Sequence, residues 1–194
     1  ISLFLSSCTE EDYFELKEED QMPIRLLSAV KISKPSKTNI SSLINSSGLD
    51  FPIFQMKYDV QIWNITYETV YKGSNITASG RAFVPLGNGQ EFSYLAFAHG
   101  TITADRDAPS ALSIVDIETF VYAAMASTGL ITVVPDFIGF GSSKEIMHPY
   151  YVEETSALVV VDGLRAVREL MNKEEISSDA ELYLSGYSEG GYVA

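Results

Sequence analysis

Glu181-Leu182-Tyr183-Leu184-Ser185-Gly186-Tyr187-Ser188-Glu189-Gly190-Gly191 runs a short apolar strand straight into a serine framed by glycines. Residues 181–185 carry strand formers, and residues 186–190 spell G-x-S-x-G, the nucleophile-elbow pattern. The glycines have a steric reason. A serine on a sharp strand-to-helix turn needs a strained backbone, and a Cβ at either flanking position would collide with the neighbouring strand or helix. Ser188 is thereby expected at the carboxyl end of a sheet, where open α/β sheets bind ligands. The free amides and dipole at the start of the following helix favour an anion there.

Upstream, the hydrophobic pattern alternates strand and helix. Residues 92–98 (FSYLAFA) and 130–134 (LITVV) are nearly continuous apolar runs, expected to be strands buried on both faces. Residues 117–127 read as a helix closed by Gly129, and residues 154–173 as the strongest helix, with Leu158, Val161, Leu164, Val167 and Met171 at helical spacing. Before these, residues 56–67 have a period of two whose phase slips, so a bulge is expected near Ile62–Trp63. Lys72-Gly73-Ser74-Asn75 is a turn, and residues 76–86 complete a hairpin. Residues 23–34 are mildly amphipathic and read as a short helix. Residues 33–48 read as a connector with one helical turn at 40–44. The elbow therefore follows the fifth predicted strand. The fold class is α/β, with a mostly parallel sheet and an N-terminal antiparallel hairpin.

His99-Gly100-Thr101 follows the third of these strands. Acyl transfer needs two backbone N–H groups aimed at the developing oxyanion. One is expected from Glu189, the residue after the serine. The other is expected from Thr101, with Gly100 as second choice. His99 is read as a structural histidine at a strand end, because the base of such sites follows the serine in the chain.

On these residues the chain resembles the α/β-hydrolase superfamily, matched by the strand count, by His99-Gly100-Thr101 and by the G-x-S-x-G at 186–190. Within it, the likeness is to secretory lipases and related esterases. HGTITADRDAPS (99–110), PDFIGFGSS (135–143), His148-Pro149-Tyr150 and the Val161-Asp162-Gly163-Leu164-Arg165-Ala166 helix carry that likeness. The resemblance implies hydrolysis of a small-molecule carboxylic ester through an acyl-enzyme on Ser188. It needs no metal or organic cofactor. It also makes the loop after Pro135 structural, with Asp136 helping to hold the turn.

One departure is large. Such enzymes place Ser, then Asp or Glu, then His along the chain, and this chain ends at Ala194, six residues past Ser188. The triad acid and base are expected outside it. The chain reads as the front half of an esterase, the first five strands and their helices. By itself it is expected to be poorly stable and nearly inactive, because residues 181–185 would present an open sheet edge. The same fold and elbow also serve serine peptidases and acyltransferases, and a non-catalytic surface lipoprotein is a reading from another class.

The remaining composition narrows the field. The 194 residues hold 13 Lys+Arg against 26 Asp+Glu, a net charge of −13, which argues against nucleic acid as a partner. One cysteine excludes an internal disulfide framework, and two histidines leave little for a metal centre. No run of 18 apolar residues occurs. Gly139-Phe140-Gly141-Ser142-Ser143-Lys144 lacks the third glycine and the following helix of a dinucleotide site. Leu5-Ser6-Ser7-Cys8 resembles the lipobox of bacterial lipoproteins, which implies cleavage before Cys8, acylation of its thiol, export, and a place in the cell envelope. Residues 9–20 carry seven acids and one lysine and read as a solvated tether; placed just after Cys8, they also resemble the acidic surface-export signal of some Gram-negative lipoproteins. Four N-x-S/T sequons, at Asn39, Asn45, Asn64 and Asn75, would matter only in a eukaryotic secretory host. The expected division is 1–8, remnant of a lipoprotein signal with its lipobox; 9–50, acidic tether and connector; 51–194, N-terminal half of an α/β-hydrolase domain.

Overall fold

The computed structural model describes residues 25–48 and 55–194. The lipobox with Cys8 and the acidic tether lie outside the described residues. Six strands form one sheet: β1 (Leu26–Ser33), β2 (Asp59–Tyr71), β3 (Ser74–Leu86), β4 (Phe92–Ala98), β5 (Leu130–Pro135) and β6 (Ser178–Gly186), in the order β1-β2-β3-β5-β4-β6. Pairing is antiparallel from β1 through β3 to β5, and parallel from β5 through β4 to β6. Four of the six strands, β2, β4, β5 and β6, thus run in one direction. The helices are α1 (Lys37–Ser46), α2 (Ile117–Ser127), α3 (Glu153–Lys173) and the short α4 (Glu189–Val193).

The sheet is covered on both faces, which explains the continuous apolar runs. On β4, Tyr94, Ala96 and Ala98 join the cluster under α3, whereas Leu95 and Phe97 join the cluster under α1 and α2. On β5, Ile131 and Val133 face the first cluster and Val134 the second. Alternate side chains of a strand point to opposite faces, so a strand needs apolar residues at every position only when both faces are packed.

The same geometry corrects the expected bulge. β2 and β3 pair without a register shift along all thirteen residues, from Asp59↔Leu86 to Tyr71↔Ser74. Val60 and Ile62 pack under α1 and α2, while Trp63, Ile65 and Tyr67 pack under α3. The phase slip marks a change in which face is apolar, not a change of register. The irregularity lies in the partner strand: Lys31 pairs Trp63 and Ser33 pairs Ile62, so Ile32 of β1 is the extra residue. The turn between β2 and β3 is Lys72-Gly73, at φ 49° and 76°, the left-handed pair that a two-residue hairpin requires.

Two further expectations are corrected. Residues 26–33 form strand β1, not a helix. Its exposed Leu27 and Val30 alternate imperfectly with inward Leu26 and Ala29, so local periodicity is weak. The backbone ladder to β2 and the Lys31 ammonium, 4.6 Å from the Trp63 ring centre, set its state. Residues 37–46, expected to hold only one helical turn within a connector, form the three-turn α1. The Ser36 hydroxyl accepts from the Asn39 amide at 3.2 Å, and Ile40 and Ile44 are buried. Both elements therefore pack with the folded unit. With β1 present, the elbow follows the sixth strand among the described residues. Among the described residues β6 pairs only with β4, and Leu182, Tyr183 and Leu184 are 40–55% exposed.

Candidate active site

β4 and β6 end side by side, with Ala98 opposite Gly186. The chain then reverses through Tyr187 and Ser188 into α4. Ser188 stands exposed at the tip with φ 55° and ψ −121°, a conformation that costs a non-glycine residue about 1–3 kcal/mol. The bend is braced by Gly190 N–H donating to the Tyr187 carbonyl (2.9 Å) and Gly191 N–H donating to the Ser188 carbonyl (3.0 Å). There is no room for larger residues beside it. A Cβ on Gly186 would overlap the Gly190 carbonyl, and a Cβ on Gly190 would overlap the Ala98 carbonyl and lie 2.6 Å from that of His99. The close backbone approach of α4 to β4 is what the two glycines permit.

The loop after β4 lies against this bend. A Cβ on Gly100 would sit 2.6 Å from the Tyr187 ring, so that ring packs closely against Gly100. The Thr101 hydroxyl is 3.1 Å from Tyr150 Oη. Among the described residues, the amides of Gly100, Thr101 and Glu189 have no acceptor. Tyr150 makes an edge contact with Tyr151 at 4.5 Å, and Tyr151 a tilted contact with Tyr192 of α4 at 4.8 Å. Tyr151 is itself held at φ 57°. These rings tie the segment before α3 to both the Thr101 loop and α4.

Both histidines are committed to the scaffold. His99 is buried, stacks on Phe137 at 4.2 Å, and donates from Nδ1 to the Gly100 carbonyl at 2.7 Å. Its Nε2 is buried without a partner, and burial lowers its pKa, so the ring is held neutral. His148 donates from Nδ1 to the Ile138 carbonyl at 2.6 Å and meets Glu189 Oε1 through Nε2 at 3.0 Å. The Glu189 side chain is 2% exposed, and its Oε2 is buried without a partner. Sequence reading used only the backbone of Glu189. A carboxyl inside a G-x-S-x-G frame was the available signal that its side chain also has a task, but its partner lies forty-one residues away.

Asp136 holds the loops beneath the site. Its carboxylate accepts from the Ser110 amide (2.9 Å), the Ser110 hydroxyl (2.5 Å) and the Ser79 hydroxyl (2.5 Å). Burial raises its pKa, and the serine donors and Arg81 pull the other way. Ser79 in turn accepts from the Ser142 amide, and Asp105 from the Gly141 amide. Arg81, buried behind, donates to the Leu112 carbonyl and the Thr119 hydroxyl. Among the described residues no group of three His, Cys, Asp or Glu could hold a metal ion.

Residues 105–194 match the secretory lipase family. A hydrolase from Legionella pneumophila superposes with a TM-score of 0.79 at 30% identity, over 87% of this chain and 45% of its own. The rice cell wall degrading esterase LipA from Xanthomonas oryzae, in a ligand-bound form, superposes at 0.76 with 29% identity, over 87% and 43%. Candida antarctica lipase A, 17% identical, shares the fold at 0.55, over 87% and 36%. No curated protein sequence matches. The chain spans less than half the length of each of these structures. The fold over the described residues is that of the α/β-hydrolases, and the likeness within it is to secretory lipases and esterases.

Proposed function

We propose that this α/β-hydrolase chain supplies the nucleophile and the oxyanion-binding amides of a serine ester hydrolase of the secretory-lipase type. The observation that supports this reading most directly is the backbone of Ser188, a non-glycine residue held at φ 55° on a strand-to-helix bend between two glycines that admit no Cβ. Strain of this kind persists only where the surroundings over-determine it, and it concentrates at reactive positions.

In the proposed reaction Ser188 Oγ attacks the ester carbonyl carbon and its proton passes to a histidine. The carbonyl oxygen becomes an anion that accepts from the amides of Glu189 and Thr101, with Gly100 the alternative to Thr101. Loss of one such donor costs about 2.7–4 kcal/mol in related chemistry. Collapse breaks the ester C–O bond, the alcohol takes the proton, and the acyl group stays on Ser188. Water then attacks the acyl-enzyme by the same route and releases the acid. His99 and His148 both spend Nδ1 on backbone carbonyls; His99 is buried and His148 Nε2 is taken by Glu189. We therefore assign the base and its orienting acid to sequence beyond these 194 residues, and expect residues 1–194 alone to turn over ester poorly. Export with acylation of Cys8 accompanies this proposal, supported by Leu5-Ser6-Ser7-Cys8 and the secretory family match.

A fluorophosphonate probe tests the reading on the full-length protein. Labelling of the native protein that disappears in Ser188→Ala, together with hydrolysis of p-nitrophenyl esters over matched anilides, is expected. Labelling that survives Ser188→Ala refutes the assignment, and faster turnover of the anilides makes it a peptidase.

A further inference from the structure

The strained bend at Ser188 must be held at its exit as well as its entry. Its entry is fixed by the β4–β6 ladder, which ends at Ala98 opposite Gly186. Its exit leads into a helix of only five residues, the second and third of which are the glycines 190 and 191. Backbone bonds from Gly190 and Gly191 close the turn upon itself but tie it to nothing outside. Among the described residues, the side-chain hydrogen bond that anchors the first residue of α4 to another element is His148 Nε2 to Glu189 Oε1 at 3.0 Å.

Hydrogen-bond accounting defines that link. The Ile138 carbonyl can only accept, so His148 Nδ1 carries a proton and donates it. The Nε2–Oε1 contact then holds one further proton, whichever atom bears it. His148 is itself held firmly. Phe140 lies 5.0 Å from its ring, Tyr150 5.9 Å, and the backbone at Gly139 leaves no space for a Cβ against it. The chain of contacts runs from the end of the β5 loop, through His148, to the residue directly after Ser188. Nothing in the proposed reaction uses either side chain.

We propose that His148 is a positioning residue: through its bond to the buried Glu189 carboxyl it clamps the first residue of α4, and with it the Glu189 amide that receives the developing oxyanion. This rests on the reading of Ser188 as the nucleophile. The clamp acts on transition-state geometry and leaves ester binding alone, so its loss lowers kcat and spares KM. Misplacement of a catalytic group by about 1 Å costs about 100-fold.

Three variants of the full-length protein test the clamp. Glu189→Leu removes the carboxyl without stranding a buried charge, and lowers kcat about 10- to 100-fold with KM within about twofold. Glu189→Gln offers its amide N–H to His148 Nε2, and so recovers most of the kcat lost in Glu189→Leu. Glu189→Gln combined with His148→Phe, which carries no buried charge and serves should Glu189→Leu not fold, loses that recovery. Hydrogen exchange at the amides of Gly190 and Gly191, which donate to the Tyr187 and Ser188 carbonyls, reads the clamp without activity. It quickens about tenfold or more in Glu189→Leu and the double variant, and not in Glu189→Gln. A wild-type kcat in either clamp-breaking variant, or exchange unchanged across all three, overturns the proposal. If the native protein takes no fluorophosphonate label, the nucleophile reading falls and the exchange result alone decides the clamp.

Discussion

Replacing Ser188 by glycine is expected to make the protein more stable, while replacing it by alanine is not. The perturbation isolates backbone strain, because neither variant keeps the hydroxyl. Ser188 sits at φ 55° and ψ −121°, a conformation that costs a residue with a Cβ about 1–3 kcal/mol and glycine almost nothing. Glycine gives back about 0.5–1 kcal/mol through the larger entropy of its unfolded chain. The balance is about 1 kcal/mol in favour of Ser188→Gly over Ser188→Ala, a factor of about five in the folded-to-unfolded ratio. Ser188 is exposed, so neither change opens a cavity. Urea unfolding of the two full-length variants, followed by fluorescence and circular dichroism, measures the difference in midpoint at equal slope. Equal stability, or a less stable glycine variant, refutes the claim that this bend stores strain, and with it the main structural support for the nucleophile assignment.

Gly190→Ala drives a methyl group into the Ala98 and His99 carbonyls, so a loss of about 2–3 kcal/mol in urea unfolding is expected, with loss of fluorophosphonate labelling at Ser188. Asp136→Ala strands the donors of Ser79 and Ser110 in a buried site, and a cost of about 3 kcal/mol should appear as a lower urea midpoint. His99 titrates below its ordinary value when folded because it is buried. Below about pH 6.5 the unfolded chain therefore binds the extra proton first, and stability falls as pH falls toward the lowered value. His99→Gln should flatten that part of the stability–pH curve, and a curve with unchanged slope between pH 7 and 5 would count against a neutral buried ring.

Legibility followed the range of the forces involved. Residues 92–98 and 117–127 were bounded correctly because two-sided burial and a helical apolar stripe are written into contiguous residues. β1 was missed because an edge strand with Leu27 and Val30 facing outward has no clean period, and its state is decided by a ladder to the distant residues 62–67 of β2. α1 was underestimated because Ile40 and Ile44 alone mark its inner face, and its stability comes from packing on α2 and the sheet. The phase slip in β2 was visible, but its cause was not. Only the placement of α1, α2 and α3 tells which face is covered at each point along the strand.

Residue type and local spacing alone determined that a serine would stand on a glycine-framed bend after a strand, because steric exclusion at 186 and 190 acts over a few bonds. The resemblance, in which the base follows the serine along the chain, implied that His99 belongs to the scaffold. The tertiary structure alone decided what Glu189 and His148 do. Their meeting depends on a loop after β5 folding back over the end of β4, and a hydrogen bond between residues forty-one positions apart leaves no periodic trace in the chain.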